Sequence, residues 1–317
     1  LSLLAFSALP IIDRLRMGLV LAFLKISGNQ ESFKSTPALN WIKKWMGEKS
    51  TNLIWEPLLS GKFGEFKDSI ALSWFWARIK KRTPSLAYPE GGFQKFVDHL
   101  SLEIKKLGGK IHLNYTVSNI KSLEEKFDKI IVTLPSPIFT RLAPDLPEEY
   151  SKKINSIQHL HAQVLILILK QPFMDKTYWL KKKEKNYPFL VLAEHTNFMD
   201  PKHYGNQHIL YIGNYLPTNH PYLKLNKEQL LEKFLPYLKK INSQLSTRLP
   251  DGQVLNSQLF TAPFAQPVVT TDYLKFIPTF QTPLKNIYLA NLDMVYPWDR
   301  GTNYAVEMGE KVAEIIS

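Results

Sequence analysis

The sequence predicts a mixed fold that is α/β in its strand–helix units and α+β overall. Three observations lead to this prediction. An apolar run at residues 287–292 precedes an amphipathic helix, and a helix followed by strands occupies residues 96–134. Between these two units lie four strand-like runs in succession. A chain of 317 residues is long enough for two domains with a substantial core.

Composition limits the classes of function that the chain can have. Hydrophobic residues make up 44% of the sequence and charged residues 21%, which is typical of a globular protein and not of a disordered one. The chain has no cysteine, which excludes disulfides, thiolate metal sites and cysteine nucleophiles. This composition fits a reducing compartment, so we expect a cytoplasmic location.

The charge is strongly basic, with a net value of +12 and a dense group of lysines at positions 181, 182, 183 and 185. Such a surface is usually a solvated one, although it can also attract anionic lipid or a phosphorylated substrate. No recognised nucleic-acid motif surrounds the lysines, so we expect no nucleic-acid partner.

The first helical region extends from the N-terminus to residue 26. Its apolar residues 1–12 are too few to span a bilayer and lack the basic start of a signal peptide. We predict a helical hairpin whose second helix covers residues 15–26. Arg14, Arg16 and Lys25 flank these apolar helices, which leaves open a contact with the membrane interface.

Residues 35–82 are predicted to be helical and contain five of the tryptophans, most of which we expect in the core. Two segments stand out, PLLSGKFG at residues 57–64 and WFWAR at residues 74–78. Lys62 and Arg78 in these segments are the better candidates for function, although a surface ion pair is the usual role of a single basic residue.

The middle of the chain predicts helix followed by strand. A turn at residues 88–92 precedes an amphipathic helix at residues 96–107, which ends at Gly108 and Gly109. Residues 110–117 alternate between apolar and polar as a strand does, and residues 130–134 form a fully apolar strand before Pro135.

The C-terminal segment predicts a strand at residues 287–292, a loop, and a helix that Gly301 opens and that Thr302 or Asn303 caps. Its first turn offers free N–H groups and the positive end of the helix dipole, which suit an anionic group. In the loop, Pro297 restricts the backbone, and Gly301 admits a backbone conformation that a side chain would hinder. The expected buried face of the helix consists of Ala305, Met308, Gly309, Val312, Ala313 and Ile316.

The region between these units predicts an antiparallel sheet. Its strands are expected at residues 163–170, 189–194, 208–214 and 253–261, with a helix at residues 227–241. Gly205-Asn206 and Asp251-Gly252 are turn signals between successive elements.

Taken in order, these segments resemble the FAD-dependent amine oxidase-type oxidoreductases, which include protoporphyrinogen oxidases, phytoene desaturases and, more distantly, UDP-galactopyranose mutases. The resemblance rests on the two tryptophan-region segments, on the order P-x-G-G, helix, G-G-x-I, V-x-x-I, D-x-I-I-V-T-x-P, and on Asp293 followed by RGTNYAVEMG. It extends from about the first helices to the last.

The resemblance implies FAD as the cofactor and a set of residues that contact it. The expected cofactor-binding residues are Val117, Thr133, Leu134, Pro135, Asp293, Gly301, Thr302, Asn303, Tyr304 and Ala305. The catalytic residue is unknown, and its candidates are Lys62, Arg78, Tyr296, Trp298 and Arg300. No histidine pair comes with a carboxylate at a metal-ligand spacing, so no metal site is expected.

The resemblance also implies a partial FAD-binding, Rossmann-like domain beside a substrate domain with a mixed or antiparallel sheet. We expect residues 1–85 to be the helical part of the substrate domain and 86–150 the segment that returns to the FAD domain. Residues 151–280 would hold the antiparallel sheet and 281–317 the last strand and helix of the FAD domain. The G-x-G-x-x-G fingerprint does not occur, so we expect the C-terminal portion of such a protein.

The implied reaction is the oxidation of a C–N or C–C bond by hydride transfer to flavin, with a small apolar or amphipathic substrate. Two alternatives stay open, a non-redox mutase of the UDP-galactopyranose mutase type and a non-catalytic, membrane-peripheral binding protein. The sequence contains neither G-x-S-x-G nor a phosphate-binding G-x-x-x-x-G-K, which disfavours hydrolysis of esters and of nucleotides.

Overall fold

The computed structural model describes residues 6–83, 87–181, 187–246 and 252–317. The first five residues, the lysines at positions 182, 183 and 185, and Asp251 of the predicted Asp251-Gly252 turn lie outside these ranges. The strands are β1 (Ile130–Val132), β2 (His159–Leu169), β3 (Trp179–Leu180), β4 (Val191–Glu194), β5 (His208–Leu216), β6 (Val254–Pro267) and β7 (Ile287–Leu289).

The helices fall into an N-terminal layer and a set around the sheets. The N-terminal layer contains α1 (Ile11–Ile26), α2 (Glu31–Ser35), α3 (Ala38–Met46), α4 (Glu48–Ser50), α5 (Glu56–Phe63) and α6 (Leu72–Lys80). The others are α7 (Gly92–Lys106), α8 (Lys121–Glu124), α9 (Ser136–Leu142), α10 (Glu148–Asn155), α11 (Lys227–Lys239) and α12 (Thr302–Ile316).

The N-terminal layer confirms the predicted helical, tryptophan-rich region and corrects the predicted hairpin. Phe63, Trp74 and Trp76 are buried in one apolar core with residues of α1 and α3. The hairpin prediction is wrong, because a single helix runs from Ile11 to Ile26 and Pro10 directly precedes it. The fixed φ of proline suits the entry to a helix, so Pro10 starts this one and does not interrupt it.

The large sheet has the order β3-β4-β5-β2-β6, and all of its neighbouring strands are antiparallel. In its centre, Leu165 of β2 pairs with Ile212 of β5 and with Leu259 of β6. The apolar side of α11, with Phe234 buried, packs in the same core as Leu165. The predicted antiparallel sheet and its helix are therefore confirmed.

A separate two-stranded sheet joins β1 and β7 in parallel, with Ile130 beside Ile287 and Val132 beside Leu289. This confirms that the two strands lie together and apart from the antiparallel sheet. Because parallel strands end at the same edge, the residues that follow Val132 and Leu289 are brought close to each other.

The predicted strand at residues 110–117 does not form. The stretch has no strand pairing, Asn114 has a φ of 57°, and Leu113 and Tyr115 are exposed. A strand needs a hydrogen-bonded neighbour, and no strand of the described chain runs beside this stretch. The alternating pattern alone was therefore not enough to produce a strand at residues 110–117.

Helices α7 and α12 form as predicted but leave much of their apolar surface uncovered. No residue of α7 is buried, and Val97 and Leu100 are among its exposed apolar residues. In α12 only Val312 is buried, whereas Ala305 and Gly309 are exposed. The expected burial of Ala305 and Gly309 is therefore wrong for the described chain, and a Cβ added at Gly309 would meet nothing within 4 Å.

Within the described ranges, no helix is both long enough and apolar enough to cross a bilayer.

Candidate active site

The carboxyl edge of the parallel pair carries the predicted residues of the first strand. Thr133 and Leu134 follow β1 directly and are exposed, while Pro135 is partly covered at the start of α9. The Asn291 side chain, just after β7, donates to the Leu134 carbonyl at 3.1 Å. The edge thus has the position at which open α/β sheets bind ligands.

Asp293 lies in the same region but is turned into a buried polar network. The Ser136 hydroxyl donates to Asp293 Oδ2 at 2.5 Å, and His159 Nε2 lies 2.6 Å from Asp293 Oδ1. The Tyr273 hydroxyl donates to the Asp293 carbonyl, and burial raises the pKa of Tyr273 well above its usual value, with Asp293 adding to the effect. Each carboxylate oxygen has a partner and the side chain is only 2% exposed, so the carboxylate is closed off from solvent.

The start of α12 is exposed and carries no side-chain cap. Thr302 and Asn303 do not cap the helix as predicted, because they are already its first two residues and Gly301 occupies the cap position. Their side chains cannot accept from the N–H groups of the following turn in the way a preceding residue can. The first N–H groups of a 15-residue helix therefore face an open side of the molecule.

Gly301 has a φ of 179°, which is extended backbone. The prediction that Gly301 supplies a conformation closed to side chains is therefore wrong. A Cβ at this position would instead lie 2.7 Å from Asn303 Oδ1 and 3.3 Å from Tyr304 Cδ2. The position is restricted by crowding against the first turn and not by backbone strain.

Two further predicted residues have other surroundings. Tyr304 is partly buried, and its ring stacks on Trp298 with 6.3 Å between the ring centres. Val117 is partly buried but lies outside the parallel sheet, since the strand that was to carry it does not form.

The loop before α12 meets two helices of the N-terminal layer through Asp299. Its Oδ2 lies 3.1 Å from Lys62 Nζ of α5 and also pairs with the Arg78 guanidinium of α6. The side chains of Lys62 and Asp299 are only 15% and 11% exposed, whereas that of Arg78 is 51% exposed. Helices α5 and α6 and the last loop thus converge on one carboxylate.

Aromatic rings surround Lys62. Its Nζ lies 4.8 Å from the ring centre of Trp74, 5.4 Å from that of Phe63 and 5.8 Å from that of Tyr215. Burial lowers the pKa of Lys62 to about 8, because the attraction of Asp299 does not offset burial together with the repulsion from Arg78 and Arg300. This lysine is therefore close to neutrality at mildly alkaline pH.

Burial by itself would raise the pKa of Asp299, but Lys62 and Arg78 outweigh that effect and lower the pKa below its usual value. Asp299 is consequently a carboxylate at neutral pH. It serves as the anion shared by two cations.

Arg300 is exposed and binds neutral partners. Its NH1 donates to Gln266 Oε1 at 2.9 Å, its NH2 donates to the Tyr215 hydroxyl, and its guanidinium lies 4.9 Å from the Tyr215 ring centre. The Gln266 amide donates to Asp299 Oδ1 at 3.3 Å and so links Arg300 to the rest of the group. We refer to Lys62, Arg78, Asp299, Gln266 and Arg300 as the cationic cluster.

Tyr296 and Trp298 pack at the edge of the N-terminal core. Tyr296 stacks on Tyr273 with 6.0 Å between the ring centres, and Trp298 packs on Trp76 at 5.5 Å. The buried hydroxyl of Tyr296 has no hydrogen-bond partner in the described chain. Both rings, together with Arg300, line a cavity of about 10 Å³, which has room for roughly one water molecule.

The structure thus joins Lys62, Arg78, Trp298 and Arg300, which were predicted from three separate segments. It also adds partners that the sequence analysis did not select, namely Asp299, Gln266 and Tyr215 here, and Ser136 and His159 around Asp293. Only Asp299 had a sequence signal, since it lies in the loop beside Arg300. No described cluster of three or more His, Asp or Glu side chains has the arrangement of a metal site.

Comparison with known proteins identifies the family. The model of flavin-containing amine oxidoreductases matches residues 2–317. The chain belongs to this family. A search of curated proteins gave no significant match.

Solved structures share the fold of this chain. An oxidoreductase from Methanosarcina mazei is 21% identical with a TM-score of 0.68, and the match covers 98% of this chain and 74% of that one. A candidate protoporphyrinogen oxidase from Exiguobacterium sp. 255-15 is 14% identical with a TM-score of 0.65, covering 98% and 73% of the two chains. Reduced UDP-galactopyranose mutase is 13% identical with a TM-score of 0.69, covering 97% and 72%.

Two features of the structure suit a flavin. The uncapped N–H groups at the start of α12 would suit the electron-rich pyrimidine edge of the ring, and the exposed Thr133 and Leu134 lie at the kind of strand edge at which open α/β sheets bind ligands. Asp293 does not add to this fit in its present hydrogen-bonding state. The residues that would hold FAD are accordingly Thr302, Asn303 and the end of β1.

Proposed function

We propose that this chain forms part of the active site of an FAD-dependent oxidoreductase that oxidises a C–N or C–C bond of a small substrate. FAD, when bound, would accept the hydride. The observation that carries the proposal is the uncapped N-terminus of α12. In the sequence, this helix comes directly after Asp299 and Arg300 of the cationic cluster, and the same segment begins with strand β7 of the parallel pair. The family match supports the same cofactor class.

The chain's own residues would supply position and charge. N–H groups at Thr302 and Asn303 would orient the pyrimidine edge and stabilise negative charge that develops there. Trp298 and Tyr304, stacked on each other, would exclude water beside that edge. Lys62 and Asp299 would fix the electrostatic potential next to the substrate, since both are largely enclosed.

A charge placed at the start of α12 tests this proposal. In the absence of FAD, Asn303→Asp should stabilise the chain by about 0.5 kcal/mol, because an anion there complements the helix dipole. The same change should weaken FAD binding about tenfold, because that anion would repel the pyrimidine edge. Urea unfolding and calorimetric titration give the two quantities, and Glu310→Gln on the same helix is the control.

The titration uses this chain and also the chain extended by whatever residues the gene encodes before Leu1. Absence of saturable FAD binding in both proteins would refute the proposal, as would an Asn303→Asp variant that binds FAD like the wild type. Anaerobic mixing with candidate amines or unsaturated compounds then separates the alternatives. An oxidase or desaturase transfers hydride to the oxidised flavin, which loses its yellow absorbance. A mutase converts its substrate only after the flavin has been reduced chemically, and a binding protein shows neither behaviour.

We also propose that α1 makes a peripheral membrane contact. The helix exposes a row of large apolar side chains, of which Leu19 is 73% exposed. Arg16 and Lys25 flank this row, where each donates to backbone carbonyls of neighbouring segments. An apolar row with basic edges on a basic protein suits the surface of an anionic bilayer.

A further inference from the structure

We infer that the substrate of this site carries an anionic group, a carboxylate or a phosphate, which Arg78 and Arg300 bind above the Lys62–Asp299 pair. The inference rests on the proposed function only in naming the ligand as the substrate. The anion site itself follows from the cationic cluster.

The cluster has an excess of positive charge. It brings together Lys62, Arg78 and Arg300 around one carboxylate, Asp299. Within the described residues, Arg300 forms no ion pair, since its contacts are Gln266 and Tyr215. Three cations beside one carboxylate leave a net positive charge, which a bound anion would compensate.

The members of the cationic cluster differ in solvent exposure, with an enclosed base and an exposed outer side. Lys62 and Asp299 are enclosed and already paired, so they form the base. Arg78 is half exposed and Arg300 is exposed, which puts both guanidinium groups within reach of a ligand from solvent. An anion therefore meets the two arginines first.

Both arginines are held in place before any ligand arrives. Arg300 lies against the Tyr215 ring and bonds to Gln266, and Arg78 lies 5.6 Å from the Trp74 ring centre while bonding to Asp299. A guanidinium has five N–H donors, and these contacts use only some of them. The remaining donors have the fixed geometry that suits carboxylate and phosphate oxygens.

The surroundings of the cluster suit an apolar body attached to that anion. Trp74, Tyr215 and Trp298 present rings around the cationic groups or beside them in the adjoining cavity. The ligand class is thus amphipathic. An ordinary surface pair looks different: Lys275 and Asp272 match one cation with one carboxylate and are both largely exposed.

Matched probes without flavin test the inference directly. The probes are 3-phenylpropanoate and phenyl phosphate as anions, with 3-phenylpropan-1-ol and 3-phenylpropylammonium as neutral and cationic analogues. Binding to the full chain is measured by calorimetry at low salt. We expect saturable binding of one or both anions and no saturable binding of the alcohol or the ammonium compound. The relative affinity of the two anions distinguishes a carboxylate from a phosphate ligand.

Variants locate the binding. Arg300→Gln should weaken the preferred anion about tenfold or more, because a charge-assisted bond is lost. Arg141→Gln is the matched control, since Arg141 is exposed on α9 and bonds to the Pro137 carbonyl. Circular dichroism confirms folding, and Arg78→Gln repeats the test should Arg300→Gln fail to fold.

Three results would overturn the inference: no saturable binding of either anion, equal binding of the alcohol, or equal weakening by Arg141→Gln. Failure of FAD binding with intact, Arg300-dependent anion binding would instead count against the proposed function alone. Intact FAD binding without anion binding would count against the inference alone. The FAD titration and the anion titration therefore distinguish an error in the proposed function from an error in this inference.

Discussion

Lys62 and Asp299 are 237 positions apart in the sequence and meet at 3.1 Å between Nζ and Oδ2. The contact joins α5 of the N-terminal layer to the loop that starts the last helix. Because both groups are largely enclosed, each depends on the other for charge compensation.

Removing the charge of Asp299 should therefore destabilise the fold. Asp299→Asn leaves Lys62 and Arg78 without their shared carboxylate, and we expect the free energy of unfolding to fall by about 3 kcal/mol. Urea unfolding at neutral pH measures the change. Asp272→Asn, which breaks an exposed pair with Lys275, should cost less than about 1 kcal/mol. Equal effects of the two substitutions would contradict the role given to Asp299.

The pH dependence of stability should report Lys62. Its pKa is about 8 in the folded chain against an ordinary value of 10.5. Between these values the unfolded chain binds more protons, so the contribution of Lys62 to stability rises with pH in this window. Below about pH 8 the contribution is constant, because Lys62 is protonated in both states.

The comparison with Lys62→Met isolates this effect. From pH 8 to 10.5 the wild type should gain about 3 kcal/mol relative to the variant. Lys181, whose pKa burial also lowers to about 8, is present in both proteins and cancels. Unfolding measured across this range would show a constant difference if Lys62 had an ordinary pKa.

Gly301 should matter for the cofactor more than for the fold. Gly301→Val adds atoms against Asn303 and Tyr304 at the start of α12; the extended backbone is not strained by a side chain, and the end of the flexible Asn303 side chain can shift to make room. We expect FAD affinity to fall about tenfold or more, with a change of less than about 1 kcal/mol in stability. Calorimetric titration of FAD and urea unfolding measure the two effects. Gly309→Val on the same helix is the control, and equal FAD affinity in both variants would exclude a flavin contact at Gly301.

The apolar row of α1 should govern membrane binding. Leu19→Glu introduces a charge into the middle of the row and should lower vesicle affinity about tenfold or more. Co-sedimentation with vesicles of phosphatidylcholine and phosphatidylglycerol measures the bound fraction. Leu107→Glu is the control, because Leu107 is 87% exposed but lies at the end of α7. A bound fraction that Leu19→Glu leaves unchanged would show that α1 is not the contact.

Much of the fold could be predicted because it depends on local pattern. The apolar runs of β1, β7 and the antiparallel strands and the spacing in α11 and α12 were visible in the sequence. The stretch at residues 110–117 had a strand pattern as well, but a strand exists only where another chain segment offers hydrogen bonds. The alternating pattern shows that a segment can form a strand, and hydrogen bonding to a neighbouring strand decides whether it does.

The candidate site likewise has residues that the sequence predicts and contacts that only the structure shows. By themselves, the sequence motifs selected Lys62, Arg78, Trp298 and Arg300 and suggested FAD, since residue type and order are read along the chain. Only the tertiary structure brought Lys62 and Arg78 to the carboxylate of Asp299 and linked Arg300 to them through Gln266. Only it turned Asp293 toward Ser136 and His159. These partners come from segments far apart in the chain, and their charge balance depends on distance and burial, which no local pattern encodes.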